Sequence, residues 1–348
     1  MARAVELSRQ GFPAPNPHVG CVVVLGGDLV GEGYHDHAGG PHAEVVALER
    51  AGAKAKGADV YVTLEPCNHA GRTGPCSEAL IRAGVKSVTF AVEDPNPRAG
   101  GGGQRLREKG IKTISGVLAS EAEAENRPFL TAMRRAQPFV ALKAATTLDG
   151  FIALPDGESK WITGPEARAA SHWLRAQMGA VLVGANTIRK DDPQLTARIE
   201  GVVNQPVRIV LDPNGSVSPS ARVFTEQGEA LHFVSKSTFP GQIELPTSGG
   251  VFDLERVLDE LWKRNVTSVL VEGGGITLGR FLQAGLFDRL DLFVAPKLFG
   301  AGVPFTGDYK ARGIAQALQL ALVREKKVGE DLWLTLCPDP RRPEERYS

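Results

Sequence analysis

The chain has few cysteines, no net charge and no long hydrophobic run, and each shortage narrows what it can be. Its 348 residues hold four cysteines, Cys21, Cys67, Cys76 and Cys337. So few thiols in so long a chain do not make a disulfide scaffold and fit a reducing compartment. Lys plus Arg number 40 and Asp plus Glu number 40. A balanced chain lacks the broad basic footprint that nucleic acid demands, but a few local cations still suffice for a small phosphorylated ligand. No stretch reaches the ~18 consecutive apolar residues of a spanning helix, so no membrane span is expected. The opening MARAVELSRQG has the spacing of a short helix, with Ala4, Leu7 and Ser8 near one face. It lacks the apolar run and cleavage site of a secretion signal, and the expected address is the cytoplasm. Apolar content is ordinary, and a chain of this length favours two domains with a core each.

The chemistry gathers between Pro41 and Cys76. His42, Cys67 and Cys76 are metal-ligand types, and Glu44 stands two residues after the histidine. One imidazole and two thiolates leave one corner of a four-coordinate zinc open for water, whose pKa the metal lowers towards neutrality. A carboxylate beside that corner can move protons from the water to a ring nitrogen and then to a leaving amine. A lone H-x-E is more often a solvated helix start, and two cysteines alone are more often small buried hydrophobes. The joint order decides for the metal: H-x-E opens a helical stretch, an apolar strand-like run follows, and Pro66-Cys67 stands just beyond it. Cys21 and Cys337 lie in apolar runs and read as buried fillers. His35 and His37 stand close by as further possible ligands, but His42 and the two thiolates already complete a catalytic set.

Strands are expected over residues 21–25, 29–34, 58–64, 86–92 and 111–115, with helices following His42 and over 77–83 and 104–109. This alternation implies helices covering a sheet. Residues 120–135 read as a Glu- and Ala-rich connector helix, broken or kinked at Pro128. The boundary falls near Ala136-Gln137-Pro138. Beyond it, 138–147, 180–184, 207–212, 230–235, 267–272, 291–295, 318–324 and 332–336 read as strands, and 165–178 and 253–264 as helices. The 267–272 strand runs into Gly273-Gly274-Gly275 and a helix. Glycines allow close backbone approach and a helix start offers N–H groups to a phosphate, though a triple glycine alone is more often a turn.

The nine-residue step from Cys67 to Cys76 exceeds the usual P-C-x-x-C. With APNPHVGCVVV, GEGYHDHAGGPHAE, VTLEPCNHAGRTGPC and VEDPNPR, it resembles the deaminase half of a riboflavin-biosynthesis family. That family joins diaminohydroxyphosphoribosylaminopyrimidine deaminase to 5-amino-6-(5-phosphoribosylamino)uracil reductase. LKAATTLDG, GESKWITG, LRAQMGAVLVGANTI, DDPQLTAR and VEGGGITLG are similar, in order and spacing, to its reductase half. The resemblance implies a cytidine-deaminase-like α/β/α sandwich over 1–118, a connector over 119–137, and a dihydrofolate-reductase-like α/β domain over 138–348. It implies zinc on His42, Cys67 and Cys76 with Glu44 as acid/base, and Asn16, His69, Arg72, Asp94 and Asn96 around the phosphoribosyl-pyrimidine. In the second half it implies NADPH at Ala145, Trp161, Thr187, Asp191, Gly274, Gly275, Ile276, Thr277, Leu278, Gly279 and Arg280. Ser159, Arg175, Leu195, Arg198 and Glu272 would meet substrate. Arg175 and Arg198 suit a phosphate and Glu272 suits ribose hydroxyls. Lys143 is either a cation near the hydride site or an edge-strand lysine. A homo-oligomer is also implied.

Three departures bear on loop geometry: Asn68 and Gly74 replace residues common in the family, and Gly100–Gly103 reads as unusually flexible. The chain also starts a few residues short of the family's usual start. Two rivals are a nucleic-acid deaminase with an accessory domain, which neutral charge and the long cysteine loop oppose, and a zinc-stabilised binding protein without chemistry.

Overall fold

The computed structural model describes residues 1–69 and 74–338. The chain forms two compact units, the first comprising Met1–Ala136 with Gly201–Asn204 and the second beginning at Gln137 and resuming at Gln205. In the first unit, α1 (Ala2–Ser8) precedes the hairpin of β1 (Gly20–Leu25) and β2 (Asp28–Tyr34), and α2 (Ala43–Ala51) leads to β3 (Asp59–Leu64). Then come α3 (Cys76–Ala83), β4 (Ser87–Val92), α4 (Gly102–Glu108), β5 (Lys112–Ser115) and α5 (Ala119–Arg135). The sheet order is β2-β1-β3-β4-β5. β1 pairs antiparallel with β2 and β3, whereas β3, β4 and β5 are parallel.

Alternation along the strands sets the layers. Val22 faces α1, where it meets Ala4 and Leu7. Cys21 and Val23 join Ala43, Ala47 and Leu80 in the main core. Two glycines let α2 lie close on the hairpin: a methyl at Gly31 would stand 2.2 Å from the Ala47 carbonyl oxygen, and one at Gly33 2.7 Å from that of Ala43. This close seat places the start of α2, with His42 and Glu44, at the edge of the sheet.

The expected connector is one continuous helix through Pro128. It does not break there because the following turn is anchored: Phe129 and Leu130, with Ala122, are buried in the first unit's core. Full burial of a side chain such as Leu130 is worth roughly 1.5–3 kcal/mol, enough to offset a lost helical hydrogen bond.

The second unit opens with β6 (Phe139–Thr147), β7 (Phe151–Ala153), α6 (Pro165–Met178), β8 (Ala180–Gly184), α7 (Ala185–Asp191) and β9 (Val207–Leu211). It continues through α8 (Arg222–Thr225), β10 (Ala230–Val234), β11 (Gln242–Glu244), β12 (Thr247–Ser248), β13 (Val251–Phe252), α9 (Leu254–Lys263) and β14 (Ser268–Val271). It closes with α10 (Gly275–Ala284), β15 (Arg289–Ala295), β16 (Val303–Pro304), β17 (Leu320–Val328) and β18 (Asp331–Pro338). Nine strands form one sheet in the order β11-β10-β9-β8-β14-β6-β15-β18-β17. It is parallel from β11 to β15, and β18 and β17 add on antiparallel.

β6 shows why both faces are covered. Val140, Leu142 and Ala144 pack with α9 and α10 side chains such as Leu258 and Phe281. Phe139 and Ala141 pack with Ala167, Leu174 and Met178 of α6. The odd positions therefore point towards α6, and Lys143 is the next of them. α6 itself starts at Pro165 behind Gly164 and ends on Gly179 in the left-handed region, both favoured end residues.

Candidate active sites

The first site lies where α2, the loop after β3 and α3 meet. His42 is the N-cap of α2, Cys67 follows β3, and Cys76 opens α3 behind Pro75. The His42 Nδ1 stands 3.2 Å from the Cys76 Sγ and 3.6 Å from the Cys67 Sγ, and the three ligand atoms lie within 4.8 Å of one another. Zinc bonds of ~2.0–2.1 Å to nitrogen and ~2.3 Å to sulfur give a tetrahedral N–S edge of roughly 3.5 Å, so the observed set fits a zinc ion. The Cys76 N–H donates to the Cys67 Sγ at 3.3 Å. The Cys76 thiol and His42 hold Cys67 low, at about 4, so a thiolate forms readily.

Glu44 is 3% exposed, and its Oε2 is buried with no hydrogen-bond partner. Burial pushes this carboxyl up to about 7. An unpartnered buried carboxylate oxygen beside metal-ligand atoms is chemically able to exchange protons with a ligand.

A cavity of about 430 Å³ is lined by His42, Glu44 and Cys67 together with the loops that carry Asn16, His69, Asp94 and Asn96. Asn16 Nδ2 lies 3.0 Å from His35 Nε2, and His35 Nδ1 bonds the Pro41 carbonyl at 3.0 Å. His35, left outside the ligand set in the sequence, thus ties the Asn16 loop to the metal helix. Asp94 is raised to about 6 by burial. Its Oδ1 accepts the Asn96 N–H at 2.9 Å. Arg72 lies outside the described residues.

Glu65 lines the same cavity and was not singled out from sequence. Its two oxygens accept the Asp94 N–H at 3.2 Å and the Gly103 N–H at 2.8 Å. The glycine run read as flexible is packed against this segment: a methyl at Gly102 would stand 1.7 Å from the Pro66 carbonyl oxygen.

In the second unit, three expected residues form one buried network. Arg175 on α6 donates from Nε and Nη2 to the two Glu272 oxygens at 2.7 and 2.8 Å, and from Nη1 to the Thr196 carbonyl at 3.1 Å. Lys143 reaches within 3.8 Å of Glu272. Burial alone would raise the Glu272 carboxyl, but the charges of Arg175 and Lys143 hold it at about 2. Burial lowers Lys143. Arg198 is exposed and bonds Gln194 at 3.2 Å.

His172, one turn before Arg175, adds its ring to this cluster through the Thr196 carbonyl at 3.1 Å. Burial and the charges of Arg175 and Arg198 hold it at about 4. Its i,i+3 spacing from Arg175 was the available signal.

The remaining positions sit on loops and helix starts. Trp161 is exposed, with the Arg168 guanidinium 4.4 Å from its ring, and Lys160 pairs with Asp191 at 3.1 Å. Ala145 follows Lys143 on the α6 side of β6, Thr187 lies in the first turn of α7, and Ser159 and Leu195 lie in loops, Leu195 buried. Gly274 caps α10, with open space where a side chain would stand. Ile276 is exposed, Thr277 and Arg280 are partly buried, and Gly275, Leu278 and Gly279 are buried in the packing of α10.

Fold and site together define a zinc-dependent deaminase joined to a reductase. Residues 1–92 match the cytidine and deoxycytidylate deaminase zinc-binding region, and residues 138–334 match the RibD C-terminal domain. The chain is 44% identical over 339 residues to riboflavin biosynthesis protein RibD of Aquifex aeolicus, covering 95% of each, and 42% identical over 366 residues to that of Escherichia coli, covering 97% and 98%. Among solved structures, RibD of Acinetobacter baumannii superposes with a TM-score of 0.89 at 40% identity, covering 97% of both chains. The Thermotoga maritima diaminohydroxyphosphoribosylaminopyrimidine deaminase/5-amino-6-(5-phosphoribosylamino)uracil reductase gives 0.87 at 39%, again covering 97% of both. The chain belongs to the RibD family of riboflavin biosynthesis. It is a bifunctional enzyme, a zinc deaminase and an NADPH-dependent reductase in one chain.

Proposed function

We propose that the first unit removes the ring amine of 2,5-diamino-6-(5-phosphoribosylamino)pyrimidin-4-one as ammonia, and that the second reduces the product's ribosyl group to ribityl phosphate. The observation that carries this reading is the unpartnered Glu44 oxygen beside His42, Cys67 and Cys76, in one cavity with Asn16, Asp94 and Asn96. Zinc on His42, Cys67 and Cys76 supplies an acidified water when bound. Glu44 takes a proton from the attacking water and delivers protons to the ring nitrogen and the departing amine; a carboxyl poised near 7 can do both at neutral pH. Asn16, Asn96 and Asp94 hold the aminopyrimidinone edge, and His69 and Arg72 meet the ribosyl phosphate side.

In the second unit, NADPH supplies the hydride. Trp161, Thr187, Asp191, Ala145 and the segment Gly274 to Arg280 hold the cofactor, with Gly274 leaving its backbone open to close approach. Glu272, fixed by Arg175, accepts from ribose hydroxyls. Arg198 offers its exposed guanidinium to the phosphate. Lys143, lowered by burial, can give up a proton as the sugar opens. Ser159 and Leu195 complete the substrate contacts.

We further propose a cytoplasmic homo-oligomer. Four free cysteines fit a reducing compartment, and no helix among the described residues is long and apolar enough to cross a membrane. Leu322 and Val323 are exposed on the edge strand β17, a surface that pairing would cover.

Glu44→Gln tests the reading. It is expected to keep zinc and abolish ammonia release, while NADPH oxidation on pre-deaminated substrate persists. Ammonia release at the native rate would refute Glu44 as the acid/base.

A further inference from the structure

Helix α5 lies outside both matched regions, residues 1–92 and 138–334, yet its Phe129 lines the deaminase cavity. One turn earlier, Asn126 is 2% exposed. Its Oδ1 accepts the His18 N–H at 2.7 Å, and its Nδ2 donates to the His18 carbonyl at 2.7 Å. One side chain satisfies both main-chain groups of His18, as a neighbouring strand would. Pro17 and Val19, on either side of His18, line the cavity, as does Asn16. Pro13, Pro15 and Pro17 remove three N–H donors from this loop, so it cannot be held along its length by a ladder of backbone bonds. What fixes its depth must act at the remaining groups, and Asn126 acts at two of them.

We propose that Asn126 is a positioning residue for deamination. By clamping His18 it sets where Asn16 stands against the pyrimidine, and so makes the helix between the two halves a working part of the first site. The inference rests on the deaminase reading above and adds a residue that neither the metal set nor the cavity-lining loops contain. It also explains why a polar amide persists on a buried helix face amid Ala122, Phe129 and Leu130: leaving the His18 groups without partners would be costly.

The test compares three variants of the full chain by steady-state ammonia release, zinc content and melting temperature. Asn126→Ala removes both bonds. It is expected to raise KM for the pyrimidine roughly tenfold, with kcat and zinc content little changed. Asn126→Asp keeps the size and the bond from the His18 N–H but sets a carboxylate against the His18 carbonyl. It is expected to raise KM as well, and it carries the test if the alanine variant folds poorly. Leu130→Ala, a cavity in the core of the same helix, is expected to lower the melting temperature at least as far while leaving KM at the native value. An unchanged KM in both Asn126 variants overturns the proposal, as does an equal KM rise in Leu130→Ala. Native protein that releases no ammonia from this pyrimidine would instead overturn the functional reading on which the proposal rests.

Discussion

Arg175→Ala isolates the electrostatics of the second site. In the native protein Glu272 has a side chain only 8% exposed and is held by two charge-assisted bonds from Arg175, with Lys143 3.8 Å away. Breaking a buried pair by removing one partner costs about 3–5 kcal/mol at neutral pH. The pH dependence gives a sharper signature. Glu272 sits at about 2 against an ordinary 4.5, and that gap corresponds to about 3 kcal/mol of stability. A depressed carboxylate contributes this stability fully above pH 4.5 and loses it as pH falls towards 2. Without Arg175, burial raises the Glu272 carboxyl, and acid then neutralises a charge that the fold disfavours. The destabilisation caused by the substitution should therefore shrink on acidification, from ~4 kcal/mol at neutral pH to ~1 kcal/mol near pH 3.

His172 moves the result in the same direction. Native stability declines as its ring is protonated, from 6.5 down to about 4, and loss of the Arg175 charge eases that decline. Asp212, also held at about 2 by His232 and Ser216 against the opposing effect of burial, is common to both proteins and cancels in the difference. Urea unfolding followed by tryptophan fluorescence reads this unit alone, because all four tryptophans (161, 173, 262 and 333) belong to it. A destabilisation that stays constant from neutral pH to pH 3 would refute the account of the network.

Removing the metal with a chelator, or replacing Cys67 with Ser, is expected to cut ammonia release by at least ~100-fold while reduction of pre-deaminated substrate continues; atomic absorption alongside the two assays checks it. Gly102→Ala is expected to lower deaminase kcat/KM by roughly tenfold or more and to destabilise the first unit by ~2 kcal/mol or more. The new methyl would meet the Pro66 carbonyl and push the Asp94 loop off Glu65. A Gly102→Ala protein with native kinetics and melting temperature would show that this packing is slack.

The metal set was legible because its signal is dense: His42, Glu44 and Pro66-Cys67 fall in a fixed order around one strand, and the structure brings the ligand atoms of His42, Cys67 and Cys76 within 4.8 Å of one another. The central strands of the second unit were legible from short apolar runs such as 139–142 and 269–271, which strands buried on both faces require, whereas their parallel pairing emerged only in the fold. What stayed hidden depends on partners distant in sequence. Asn126 reads as a solvated polar residue on a charged helix until His18, 108 residues away, is placed beside it. Gly100–Gly103 reads as slack until Pro66 and Glu65 are seen against it. Arg175 reads as a phosphate ligand, whereas its bidentate bond to Glu272 depends on the α6-facing side of β6 and the end of β14 meeting over one helix. In each case, local pattern reveals the residue type and only tertiary placement reveals its partner.

β6 lies between β14 and β15 in the interior of the nine-stranded sheet, yet it is the first strand of that sheet to be made. Its neighbours leave the ribosome about 130–150 residues later, which at ~5–20 residues per second leaves an apolar strand unpaired for many seconds. The first unit can close on itself during that interval, while the second cannot begin its central pairing until Val271 has emerged. Holding the nascent 139–147 segment away from other chains is thus a demand that this topology places on the cell, and starving it of chaperones should lower reductase activity per chain more than deaminase activity.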